Sequence, residues 1–154
     1  MPPKFDPVAR VQMLIRKPAA EVFEAFVDPS VTSRFWFTRG SGRLRAGETV
    51  TWHWDMYGAS AKVAVKAVEP GRRIRIEWPT PVEWMFTPRA DDTTLVVVTA
   101  SGFTGTDDGK VTQALDSMGG FSLMLAACKA YLEHGVTLGL VADHNPDAHV
   151  KREP

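Results

Sequence analysis

Along the first part of the chain, Val8, Val11, Met13 and Ile15 stand among Arg10, Gln12 and Arg16. This period-two alternation predicts a strand from about Val8 to Arg16. The period changes at Pro18. Val22, Phe23, Phe26 and Val27 recur at helical spacing, Pro18 suits a first turn, and Asp28-Pro29 closes the helix. A second short helix or turn is predicted from Ser30 to about Phe35, leading into Phe35-Trp36-Phe37.

Between Gly40 and Phe103 the pattern is almost wholly that of strands, divided by turn signals such as Arg45-Ala46-Gly47, Tyr57-Gly58, Glu69-Pro70-Gly71, Pro79-Thr80-Pro81 and Ala90-Asp91-Asp92. Val50, Trp52, Trp54 and Met56 alternate with Thr51, His53 and Asp55; Ala61, Val63, Val65 and Ala67 alternate with Lys62, Ala64 and Lys66. Ile74, Ile76 and Trp78 alternate with Arg73, Arg75 and Glu77, and Val82, Trp84 and Phe86 with Glu83, Met85 and Thr87. Such strands have one apolar and one polar face, as an antiparallel sheet with a solvated side requires. Leu95 to Ala100 is apolar on both faces and belongs at a central or covered position.

After Asp107-Asp108-Gly109, an acidic start that suits a helix N-terminus, apolar residues follow at three- and four-residue spacing through Val111, Ala114, Leu115, Met118, Phe121, Leu125, Cys128 and Leu132. Gly135 should end this long helix. Gly119-Gly120 interrupts the pattern at a cost of about 1 kcal/mol per glycine relative to alanine, which implies a kink, a close contact or deliberately vacant space. The polar tail from Asp143 to Pro154 is expected to fray. The order of elements predicts one α+β domain spanning 1–154, its core at about 8–135, with a curved antiparallel sheet of about six to seven strands gripping the long helix.

Composition narrows the setting. The chain has 154 residues, 44% of them hydrophobic and 23% charged, an ordinary folded profile that excludes a disordered or collagenous chain. Its 18 basic residues balance 18 acidic ones, so no global field favours nucleic acid. Basic side chains concentrate in the first half and acidic ones in the second, but interleaved strands blur that division. The one cysteine, Cys128, excludes an internal disulfide and a multi-cysteine zinc site. The start Met1-Pro2-Pro3-Lys4 has no apolar stretch behind its lysine, and the apolar segment from Gly119 ends at Cys128. Roughly 20 apolar residues are needed to span a bilayer, so the expectation is a cytoplasmic protein without membrane insertion.

Several positions resemble the SRPBCC, or START-like, superfamily with its helix-grip fold, and within it the group named after the activator of the heat-shock-protein-90 ATPase. Pro18-Ala19-Ala20-Glu21-Val22-Phe23-Glu24-Ala25-Phe26 is similar to the opening helix motif, and Asp28-Pro29 with Arg34-Phe35-Trp36-Phe37 to the following segment. Ser117-Met118-Gly119-Gly120-Phe121, followed by Leu125 and by Cys128-Lys129-Ala130-Tyr131-Leu132-Glu133-His134-Gly135, resembles the closing-helix signature. One departure is Phe121, where relatives often carry tryptophan. The resemblance covers about Val8 to Gly135. It implies a ligand cavity between sheet and long helix, in a group that includes polyketide cyclases and hydrolases.

The tryptophans supply the candidate site. Trp52, Trp54, Trp78 and Trp84, with Met56, Ile76 and Phe86, share the apolar sheet face and are joined by Trp36. Met118, Phe121, Ser122 and Leu125 would form the helix wall. Flat polarizable side chains with few donors suit an apolar or aromatic ligand, although the same residues could simply fill a core. No cofactor is called for, and the expected state is a monomer or homodimer.

Other candidates have blander readings. His53 with Asp55, and Glu77 with Glu83, lie opposite the tryptophans by parity and read as solvated pairs. Asp143, His144, Asp147 and His149 match no metal spacing, and Cys128 reads as a buried thiol. Lys62, Lys66, Arg73 and Arg75 form a basic face that Asp55 and Glu77 dilute. The sequence therefore favours a binding module. Its rivals are a cyclase, dehydratase or hydrolase-like enzyme in the same cavity, with Thr99, Ser101, Tyr57 or Ser122 as inward polar anchors, and a co-chaperone marked by an exposed apolar patch.

Overall fold

Strand alternation and helical spacing resolve into eleven labelled elements in a computed structural model, which describes residues 4–150. In chain order they are β1 (Ala9–Ile15), α1 (Ala19–Val27), α2 (Pro29–Thr32), β2 (Arg39–Gly40), β3 (Thr49–Trp54), β4 (Ala59–Glu69), β5 (Arg73–Trp78), β6 (Thr80–Arg89), β7 (Thr93–Ala100), α3 (Asp107–His134) and α4 (Leu140–His144). The strands form one curled antiparallel sheet ordered β1-β7-β6-β5-β4-β3-β2, with α3 packed against β1 and β7 in a helix-grip arrangement.

Register explains which face is buried. Ile74 pairs with Trp84 and Ile76 with Val82, while Trp84 in turn pairs with Val98 and Phe86 with Val96. All seven point into the core. Their neighbours Arg73, Arg75, Glu77 and Glu83 occupy the other face, where Arg73 holds Glu83 at 2.7 Å and Glu69 at 3.0 Å. Lys66 stands 3.9 Å from Glu77 on the same face. These carboxylates are partnered by cations rather than by each other. Exposed pairs of this kind contribute little to stability.

Four local readings change. β3 ends at Trp54, and Asp55–Tyr57 forms a 3-10 turn, so Met56 leaves the strand alternation. A bulge between Val65 and Ala67 shifts the β4 register, bringing Val68 rather than Ala67 opposite Ile74. α3 runs unbroken through Gly119-Gly120, and its N-cap is Thr106, whose hydroxyl accepts from the Gly109 N–H at 3.0 Å while Asp107 and Asp108 sit in the first turn. Gly135, with φ of +66°, ends the helix in the left-handed conformation.

The fourth change concerns the tail. Residues after Gly139 form α4 and a 3-10 turn at Pro146–Ala148 that fold back on the β3–β4 connection. Tyr57 donates its hydroxyl to the Val141 and Ala142 carbonyls, and the Val150 N–H donates to Met56 O at 2.9 Å. Val150 also packs so closely over Gly58 that a Cβ there would lie 2.8 Å from its side chain. Polarity suggested fraying, but backbone groups in this segment find partners on the body of the protein. The last tail residues, Lys151 to Pro154, lie outside the described residues.

Candidate functional site

An aromatic cluster occupies the hollow of the sheet. Trp36, on the segment between α2 and β2, lies within 6.0 Å of each of the other four tryptophan rings by centroid: 4.9 Å to Trp52, 5.8 Å to Trp78, 5.9 Å to Trp84 and 6.0 Å to Trp54. Trp54 and Trp78 stack at 5.3 Å with 9° between their planes. Phe37 stacks on Trp52 at 5.1 Å, and Phe121 reaches the cluster from α3 at 6.1 Å from Trp36.

The local fold sets Trp36 in place. Asp28 closes α1 and caps α2 by accepting from the Ser30 N–H at 3.0 Å and its hydroxyl at 2.8 Å. Those hydrogen bonds hold the Asp28 carboxyl below its ordinary range. Pro29 has no N–H to offer the Ala25 carbonyl. The Thr32 hydroxyl takes that role, donating to Ala25 O at 2.5 Å from a fully buried position. The Trp36 N–H then bonds to Thr32 O at 3.0 Å, which aims the ring into the sheet.

Space is found at the mouth of the hollow rather than inside it. A cleft of about 380 Å³ is bounded by Trp36, Tyr57 and Trp78, by Asp116, Ser117, Gly120, Phe121 and Leu123 of α3, and by Val141, His144 and Asn145 of the C-terminal segment. Two depressions adjoin it. One of about 360 Å³ adds Trp54 and Ala59 to Ala61, and one of about 320 Å³ adds Pro79, Thr80, Val82 and Ala100. These volumes are in the range that small-molecule sites occupy, roughly 300–1,000 Å³.

Gly120 opens this space. A Cβ built on Gly120 or Gly119 would meet nothing within 4 Å, so neither glycine serves a close helix-to-sheet contact. Gly120 faces the cleft, and a larger residue there would occupy it.

The predicted residues divide accordingly. Trp36, Trp54, Trp78 and Phe121 border the open space. Trp52, Ile76, Trp84, Phe86 and Leu125 are each at most 2% exposed and pack behind it. Met56 is half-buried in the 3-10 turn. Met118 and Ser122 are on the solvent side of α3, Met118 being 39% exposed, because one hundred degrees per residue carries them past the wall formed by Ser117, Gly120 and Phe121. Of the proposed polar anchors, Tyr57 lines the cleft, whereas Thr99 and Ser101 belong to a shallow hollow on the opposite sheet face beside Arg75 and Glu83.

Asp116, Ser117, His144 and Asn145 were not expected at the site. Only the Ser117-Met118-Gly119-Gly120 run hinted at the first pair. Nothing in the sequence pattern announced that the tail would return to bring the second. His53 and Asp55 are elsewhere, with Asp55 held by Arg39 at 3.2 Å. Burial pushes the Cys128 thiol far up, so it stays protonated and inert. Among the described residues there is no group of three His, Cys, Asp or Glu side chains placed to hold a metal ion, and no helix is long and apolar enough to cross a membrane.

Comparisons agree with this architecture. A Staphylococcus saprophyticus protein of known structure is 34% identical, with a TM-score of 0.77 over 86% of this chain and 96% of that one. The Aha1 dimer from Colwellia psychrerythraea matches at 16% identity and a TM-score of 0.72, over 84% of this chain and 98% of that one. A protein from the dynemicin biosynthetic locus matches at 23% identity and a TM-score of 0.73, over 84% of this chain, which spans 48% of that longer one. Among curated proteins none matches. Residues 16–133 match the family described as Activator of Hsp90 ATPase homolog 1-like protein, and with the helix-grip sheet and the closing-helix signature in place, the chain belongs to that family within the SRPBCC superfamily.

Proposed function

We propose that this protein binds a small aromatic ligand in the cleft between Trp78, α3 and the C-terminal segment. One observation carries the reading: the vacant space over Gly120, facing the exposed part of a tryptophan cluster, on a helix whose packing does not require glycine there. Trp36, Trp54, Trp78 and Phe121 would contact the apolar body of the ligand. Tyr57, Asp116, Ser117, His144 and Asn145 would meet its polar end. Trp52, Ile76, Trp84, Phe86 and Leu125 support that wall from behind. Relatives of the fold include a protein of a natural-product locus, which fits small-molecule binding.

A second reading rests on Val111, Leu115 and Met118. They are 40%, 63% and 39% exposed at helical spacing on the outer face of α3, a surface suited to a protein partner or a second copy of the chain. The structural relative solved as a dimer supports a homodimer as the form this would take.

Native mass spectrometry tests the main reading. The freshly purified protein should carry an added mass of a few hundred daltons, or take up N-phenyl-1-naphthylamine in a one-to-one complex. A bare mass in both cases overturns it.

A further inference from the structure

Behind Trp36 is a void bordered by Phe26, Leu44, Trp52, Ile74 and Trp84 that has no room for a water molecule. Trp84 is 2% exposed, and its Nε1–H has no hydrogen-bond partner among the described residues. None of the side chains around the void carries an oxygen acceptor. They offer the indole donor at best the faces of neighbouring rings, a weak substitute for an oxygen acceptor. Leaving such a buried donor unmet is unfavourable, because it gives up its bond to water and gains none in return.

Trp36 is the one residue that borders both this void and the outer cleft. Its position on a connecting segment distinguishes it from Trp52 and Trp84, which are fixed by strand registers. A turn of the Trp36 side chain would join the two spaces without moving a strand.

We propose that Trp36 is a gate, and that the ligand site continues behind it to Trp84, whose indole N–H donates to an oxygen at the leading end of the ligand. The inference rests on the cleft reading above and deepens it. It names the ligand class: a planar aromatic body, stacked against Trp78, that carries a carbonyl oxygen at its tip. A hydrocarbon of the same shape fills the same space but leaves the donor unmet.

The test is a titration of the uniformly 15N-labelled full chain with 2-acetylnaphthalene and with 2-ethylnaphthalene, which differ by a carbonyl oxygen at the tip. The five indole Nε1–H signals are assigned through their own side-chain correlations, so no variant has to fold for the measurement. The Trp84 signal should move downfield with the ketone alone, while the Trp36 and Trp78 signals move with both compounds. In Trp84→Phe, the affinity ratio of ketone to hydrocarbon should fall by about tenfold, the loss of one hydrogen bond. If Trp36 and Trp78 respond and Trp84 does not, ligand binding stops at the outer cleft and the gate is overturned while the cleft reading stands. If no indole signal responds to either compound, both are overturned.

Discussion

Thr32 shows how much one hydroxyl can decide. Its donation to Ala25 O replaces the helical bond that Pro29 cannot make, and a second bond reaches Asp28 O at 3.0 Å. Thr32→Val keeps the shape but leaves a buried carbonyl short of a donor. It should cost about 1–2 kcal/mol, read as a lower urea midpoint at unchanged slope, and Trp36 should become more accessible to fluorescence quenchers. Unchanged stability would mean that Ala25 O finds another donor. The same residue illustrates the limit of the sequence: a threonine three positions after Pro29 reads as a turn residue, and its bond back to α1 depends on a helix-to-helix angle that spacing does not encode.

At the scale of elements, the C-terminal end of α3 is clamped to the end of β1. Glu133 Oε2 accepts from the Arg16 N–H at 2.9 Å and from Lys129 Nζ at 2.7 Å, and Lys129 also donates to Leu14 O at 2.8 Å. Burial alone would raise the Glu133 carboxyl, but these hydrogen bonds and the lysine charge outweigh it and hold the group below its ordinary value of 4.5. A carboxylate whose pKa falls on folding stabilises above its unfolded value and loses that contribution as pH drops through the lower, folded value. Glu133→Gln should therefore weaken the protein by about 1–2 kcal/mol at neutral pH, with the gap to the parent closing in acid below 4.5. Urea unfolding at several pH values measures this. A gap constant with pH would show that the charge is not what matters.

The C-terminal segment is a second tie between elements. Tyr57→Phe removes the donor to the Val141 and Ala142 carbonyls. Amide hydrogen exchange in residues 140–148 should accelerate by about tenfold, from the loss of one hydrogen bond, while α3 keeps its protection. Equal protection in the variant would show that Val150 and the Met56 carbonyl suffice to hold the segment.

For the whole molecule, much of the fold was legible from alternation. The inward set of Val63, Val65, Ile74, Ile76, Val82, Trp84 and Phe86, the two short helices and the long one all follow from period and punctuation. The site was less legible, because periodicity reports which face is covered but not how completely. Trp52 and Trp54 carry the same signal, yet Trp52 packs behind Trp36 while Trp54 reaches the open depression. The polar tail from Asp143 gave no cue that His144 and Asn145 would return to close one side of the cleft.

A matched pair of substitutions, compared in one titration with N-phenyl-1-naphthylamine, puts the cleft to the test. Gly119 and Gly120 are adjacent in the same helix with open space beyond each Cβ, but only Gly120 lines the cleft. Gly119→Leu should fold and raise the probe's fluorescence as the parent does. Gly120→Leu should fold equally well and bind at least about tenfold more weakly, since a leucine side chain would displace the ligand body. Equal binding by two folded variants would contradict a ligand site at this cleft.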